Sequence, residues 1–451
     1  MSASEPPEPA EPAGASPISG GAYLRLIALG ALIGIPAALL AVGFLALVHQ
    51  LEEWLWTDLP DALGYDSAPW FLVIGLPLVG AAIVYLARTL LPGDGGHSPL
   101  GGLNANPTPP RFGLGVALAA LGTLPFGIVL GPEAPLIALG SVVGLSLTAW
   151  VRLNEEERGV VAIGGSFAAI AALFGGPLVA GVLLIEAGIA KGRALIAALV
   201  PGLVAAAIGY TIFVGVGDWG GIDAQKLSIP GLPAYHGTKL RDLAIAVVVG
   251  LLAALVMAVV RRLGGAIAER GPRRLGLAGL LFGGALAIGL LTQVAVWLGA
   301  ESGQVLFSGQ SSVATLTAEG SVGIVLLLIV AKGLAYTVSL SAGFRGGPIF
   351  PAIFLGVALA TLAVIAFDIS PTVAVAIGAA AGMAAQSRLL FAPLVLATLL
   401  TGTGGLDTGP AAVLAASAAW VATMALDRRD AARQQANLAV LQDATAAAPA
   451  R

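Results

Sequence analysis

The sequence predicts an all-α polytopic membrane protein, and two observations carry that prediction. Hydrophobic residues make up 57% of the 451-residue chain and charged residues only 10%, whereas a soluble domain carries roughly 25% charged residues. The apolar residues also come in long uninterrupted runs, with the charges mostly between them, which is the signature of spanning helices. A transmembrane β-barrel would instead need alternating strands. The 62 glycines and 28 prolines fit the same class, because small residues let membrane helices approach closely.

Taken in order, residues 1–20 are rich in Pro, Glu, Ala and Ser. They read as a disordered tail, since a signal peptide would need a basic start and an early apolar core. A transmembrane domain over 21–426 follows. Its first helix runs from Tyr23 to about His49, and its second covers 69–91. Further on, 240–263 and 276–300 are long enough to span, while 95–103, 132–151, 164–186 and 346–366 are short and interrupted by Gly or Pro. The polar stretch 217–239 is the longest internal loop, and 427–451 forms a short polar tail. Arg428, Arg429 and Arg433 favour a cytoplasmic C-terminus.

Composition also excludes function classes. There is no cysteine, so disulfides, thiolate metal sites and thiol catalysis are absent. The three histidines lie far apart, and no pattern asks for a metal or cofactor. There is no HExxH motif and no Ser/His/Asp cluster for an intramembrane enzyme, and no basic footprint for a nucleic acid. An organic-solute transporter coupled to a cation would want more intramembrane polar residues.

The chain contains an internal repeat. "GPEAPLIALG" (131–140) and "GPIFPAIFLG" (347–356) match at six of ten positions, and "PLVAGVLL" (177–184) and "PLVLATLL" (393–400) at five of eight. Both pairs are 216 residues apart. One shared offset, with matched prolines and glycines, predicts two halves over about 21–216 and 240–426. Duplicated halves with Gly/Pro-interrupted segments at corresponding positions mark the binding site of a transporter.

Physics gives those segments a purpose. A helix that begins inside the membrane leaves its first N–H groups unpaired, and its start carries about half a positive charge. Pro is tolerated there because it has no N–H to lose. Two such starts facing one point form an anion site from backbone alone, one that can release its ion quickly. Glu133 is then an anion placed where the site wants one. Its carboxylate can occupy the site and leave it when protonated or displaced, which makes it a gate. A purely structural capping carboxylate is the other reading.

These residues resemble the CLC family of chloride channels and chloride/proton antiporters. The family's G-[KR]-E-G-P signature reads Gly131-Pro132-Glu133-Ala134-Pro135 here, and its G-G-x-F-x-P signature falls in "SAGFRGGPIFPAIFLG" (341–356). "AKGLAYTVSLSAG" precedes the latter and fits the family's approach through Lys332 and Thr337. "GGHSP" (95–99) corresponds loosely to G-S-G-I-P, and "GGPLVAGVLLIEAG" (175–188) to the stretch ending in the inner glutamate. The resemblance implies a CLC-like inverted repeat of tilted and half-spanning helices, homodimeric, with a pore in each subunit. It implies a gate at Glu133 and anion-binding positions at Gly96, His97, Ser98, Ala134, Ile349 and Phe350.

The departures are specific. Pro132 replaces the signature's cation, and Pro348 takes a place where the family offers an N–H. No Tyr is found near Gly405, where the pore tyrosine should fall. The antiporters' inner proton glutamate maps to Ala187, so Glu186 is the candidate for an inner proton path, although one residue away on a helix points about 100° off. The resulting expectation is transport of chloride or a related small anion, with protons as a candidate second cargo. The mode is a channel or a proton-coupled exchanger, in the lipid bilayer of a bacterial plasma membrane. A fluoride/proton antiporter of the same family is the alternative.

Overall fold

The computed structural model describes residues 20–103, 106–188, 193–220 and 227–446. The expected tail over 1–20 and the last residues of the C-terminal tail therefore lie almost wholly outside the described residues. Within them the chain forms sixteen α-helices and no strands beyond one extended pair, Gly131 with Gly347. The first half contains α1 (Gly20–Glu53), α2 (Leu59–Ala62), α3 (Trp70–Leu90), α4 (Gly113–Leu121), α5 (Glu133–Thr148), α6 (Glu155–Phe174), α7 (Pro177–Glu186) and α8 (Arg193–Gly220). The second contains α9 (Leu240–Trp297), α10 (Ser302–Val305), α11 (Val313–Thr317), α12 (Val322–Ser341), α13 (Ile349–Phe367), α14 (Pro371–Ser387), α15 (Phe391–Thr401) and α16 (Gly409–Ala446).

Eight stretches of the described residues are long and apolar enough to cross a membrane, and the protein is an integral membrane protein. The α9 helix has 58 residues. At 1.5 Å per residue it would reach about 87 Å, near three times the hydrocarbon core. It resolves this by breaking at Gly276 (φ 64°, ψ −178°), a left-handed conformation that glycine adopts readily. Two arms result, matching the two spans expected over 240–263 and 276–300.

Elsewhere the boundaries moved. The first helix continues past His49 through a π turn at Trp54–Asp58 into α2. Within 95–103 the only helical element is the three-residue turn Pro99–Gly101. The interrupted stretch 164–186 is shared by two helices. α6 begins earlier, at a capping box in which Asn154 accepts from the Glu157 N–H at 2.8 Å and Glu157 accepts from the Asn154 N–H at 3.0 Å. That box satisfies two otherwise orphaned donors. α6 then ends at Gly175 (φ 65°), and Pro177 opens α7. The α8 helix runs into the expected 217–239 loop as far as Gly220, and the polar tail from 427 is helical through Ala446.

The repeat has a structural counterpart in helix packing. A Cβ on Gly140 of α5 would strike the Gly165 backbone of α6, and one on Gly356 of α13 would strike the Gly378 and Gly382 backbone of α14. The last glycine of each repeated motif thus sits at the same kind of helix crossing, where backbones touch. α5 and α13 are each held by the helix that follows, and each presents its N-terminus to the interior.

Candidate functional site

The two repeated motifs meet at their first glycines. Gly131 N–H donates to the Gly347 carbonyl at 2.8 Å, and Gly347 N–H donates back to Gly131 at 2.5 Å. This pair ties the chain entering α5 to the chain entering α13, so both helix starts lie at one point. Pro132 and Pro348 stand at the two N-caps, where a missing N–H costs little.

Glu133 reaches across that junction. Its side chain is fully buried. One carboxylate oxygen, Oε1, accepts from Ile349 N–H at 3.1 Å and Phe350 N–H at 3.0 Å. Those are the first two N–H groups of α13, which have no intrahelical partner. The carboxylate therefore sits on the positive end of the α13 dipole. The other oxygen, Oε2, has no hydrogen-bond partner among the described residues. The approach needs Gly347, because a Cβ there would collide with the carboxylate.

Helix α12 lines the same place. Tyr336 is fully buried, and its hydroxyl donates to the Pro348 carbonyl at 2.7 Å. That carbonyl belongs to the residue just before the Ile349 donor. One turn on, Ser339 Oγ accepts from Val129 N–H at 3.1 Å and donates to the Ala335 carbonyl at 2.8 Å. One turn back, buried Lys332 Nζ donates to the carbonyls of Gln304, Val305, Leu306 and Phe307 at 2.9–3.3 Å and lies 4.5 Å from the Phe354 ring centroid. Phe350 packs on Phe174, ring centroids 5.6 Å apart.

Of the expected site residues, the structure brings Glu133, Ile349 and Phe350 into direct contact. Ala134 follows Glu133 in the first turn of α5, partly buried. Gly96, His97 and Ser98 lie on a loop whose His97 and Ser98 are exposed, and the hydrogen bonds of the Glu133 carboxylate run to Ile349 and Phe350 instead. Asp94 fixes that loop: its carboxylate takes Arg88 at 2.8 and 2.9 Å and Arg345 at 2.5 Å. Loss of solvation around the imidazole, whose outer edge stays exposed, and then the Arg345 charge lower the His97 pKa below its usual value. The shift disfavours a positive charge on this imidazole.

Glu186 is engaged elsewhere. Its oxygens accept from Leu390, Phe391 and Ala392 N–H at 2.5, 3.0 and 2.8 Å, at the start of α15. Gly405 lies in a short turn, Gly402–Thr408, against the loop that carries Ala234. Thr337 turns its hydroxyl back to the Gly333 carbonyl of its own helix at 2.8 Å.

The reading from sequence missed Tyr336, Ser339 and the Arg88–Asp94–Arg345 cluster. Tyr336 had a usable signal, since it lies four residues after Lys332 and so on the same helix face.

Comparison with known proteins adds an independent line. A model of the family described as voltage gated chloride channel matches residues 79–423. Over 342 residues the chain is 29% identical to YfeO of Escherichia coli O17:K52:H18 (strain UMN026 / ExPEC), an ion-transport protein by its name, spanning 72% of this chain and 76% of that one. Two solved structures share the fold. One is a CLC-type fluoride/proton antiporter (TM-score 0.70, 22% identity, 89% of this chain and 96% of that one). The other is a slow cyanobacterial Cl−/H+ antiporter (TM-score 0.71, 17% identity, 89% and 95%).

Proposed function

We propose, from the premise that this chain belongs to the voltage-gated chloride channel family, that it moves chloride or a related small inorganic anion across the membrane. Glu133 is the gating carboxylate in this reading. One observation carries it: a carboxylate oxygen occupies the two free N–H groups at the start of α13, which is where a small anion would bind. Carboxylate and anion compete for the same donors. When the carboxylate is protonated its negative charge is gone, and the site is open to the anion. Flux therefore rises as pH falls. Purified protein in liposomes is expected to pass chloride, faster on the acidic side. Silence toward chloride, fluoride and nitrate alike would overturn the reading.

A fluoride/proton exchanger is the second form of the proposal, favoured by the fold shared with a CLC-type fluoride/proton antiporter. Proton movement driven by an imposed chloride or fluoride gradient separates exchanger from channel. Glu186 has both oxygens committed to α15, which supports a capping role and leaves it poorly placed to relay protons. A homodimer with a pore in each subunit, in a bacterial plasma membrane, completes the proposal.

Tyr336 is part of the anion site in this account. Its hydroxyl can rotate from the Pro348 carbonyl to an anion held at Ile349. A hydrogen bond to a charged group contributes about 1.5–3 kcal/mol. Tyr336→Phe is therefore expected to weaken anion binding about tenfold or more, with the fold intact. Unchanged affinity by calorimetric titration would remove Tyr336 from the site.

A further inference from the structure

A cavity of about 380 Å³ lies between the two arms of α9 and α12. Its walls include Leu263 and Ala266 of the first arm, Leu291 of the second, and Leu334 and Val338 of α12, with Arg270 at its edge. Leu263 and Leu334 are 45% and 39% exposed, so the groove opens at the outer surface of the transmembrane domain. An apolar groove open at that surface can accept an apolar chain from the bilayer.

The edge adds a charge requirement. The elbow joining the arms reads Glu269-Arg270-Gly271-Pro272-Arg273-Arg274, and all three arginines are exposed. None of them has an acid within ion-pair distance among the described residues. A basic elbow of this kind faces the cytoplasm by the positive-inside bias, next to the leaflet rich in anionic lipid.

We propose that the groove is a binding site for an anionic phospholipid, with one acyl chain between Leu263, Leu291 and Leu334 and the phosphate held by Arg270, Arg273 and Arg274. The acyl chain lies against Val338 of α12, two residues from Tyr336. Lipid binding here does not depend on which anion the protein carries.

The test is retention of lipid by the full-length protein, read by native mass spectrometry after reconstitution in mixed phosphatidylglycerol and phosphatidylcholine. Wild type is expected to retain phosphatidylglycerol selectively. Arg270→Gln is expected to lower retention about fivefold, from about 1 kcal/mol per arginine at an anionic surface. Ala266→Phe, which fills the groove and keeps the arginines, is expected to lower it as well. Equal retention of both lipids by wild type, or full retention by Ala266→Phe, overturns the proposal. A phosphatidylglycerol with a photoreactive tail gives a readout that needs no variant. Label on 263–270 and 334–338 is expected, and label spread evenly over the lipid-facing helices contradicts the site.

Discussion

Glu133→Ala is expected to carry anions at least as fast as wild type and to lose the dependence of flux on pH. The variant keeps both donors, since Ile349 and Phe350 offer backbone N–H groups that no side-chain change removes. It removes their resident competitor. Each charge-assisted bond contributes about 1.5–3 kcal/mol, and a change of only ~1.4 kcal/mol in that competition alters anion occupancy tenfold. Flux at pH 7.5 is therefore expected to rise about tenfold or more, while flux at acid pH changes little. The orphaned Oε2 leaves this carboxylate less fully held than that of Glu186, both of whose oxygens accept at α15. A folded Glu133→Ala protein with no flux would make Glu133 a structural cap.

Lys332→Met is expected to cause the largest loss of stability. The lysine is fully buried, and four successive carbonyls, Gln304 to Phe307, point at its Nζ. Methionine matches the stem and removes the donor. The carbonyls then remain buried without their partner, at about 1–3 kcal/mol for each group left unsatisfied. The segment they belong to carries Phe307 in a left-handed conformation (φ 60°), stacked edge-on to Trp56 at 5.3 Å. Losing Lys332 therefore frees a strained turn. Four such carbonyls put the expected loss at about 4 kcal/mol or more. A thermal melt of Lys332→Met in detergent is expected to fall well below that of Lys332→Arg, which keeps donors on the segment. Equal melting points would show that the four contacts contribute little.

What the sequence disclosed, and what it hid, divides along a physical line. Glycine and proline act locally, so the repeat at 131–140 and 347–356 and the two helix starts were readable in one dimension. An acid in an apolar run stands out for the same reason, and Glu133 did. Ile349 and Phe350 were named as anion-binding positions through the resemblance, and in the structure their N–H groups donate to the Glu133 carboxylate. Side-chain direction is a different matter. Tyr336 and Thr337 are neighbours in an apolar helix, yet one hydroxyl reaches Pro348 while the other bonds back to Gly333. Only the packing of α12 on the start of α13 decides which. Likewise Asp94 meets Arg345 across 251 residues, and no local signal announces that. The loop at Gly96–Ser98 was chosen by resemblance alone, and its His97 and Ser98 are exposed.

The central claim is that the α13 start is an anion site that Glu133 fills. Anomalous diffraction from Glu133→Ala crystals soaked in bromide tests it most directly. The account predicts a bromide peak within hydrogen-bonding distance of the Ile349 and Phe350 N–H groups, weaker or missing in wild type at alkaline pH. A variant that transports bromide yet shows no peak there, with its density elsewhere in the membrane domain, would contradict it.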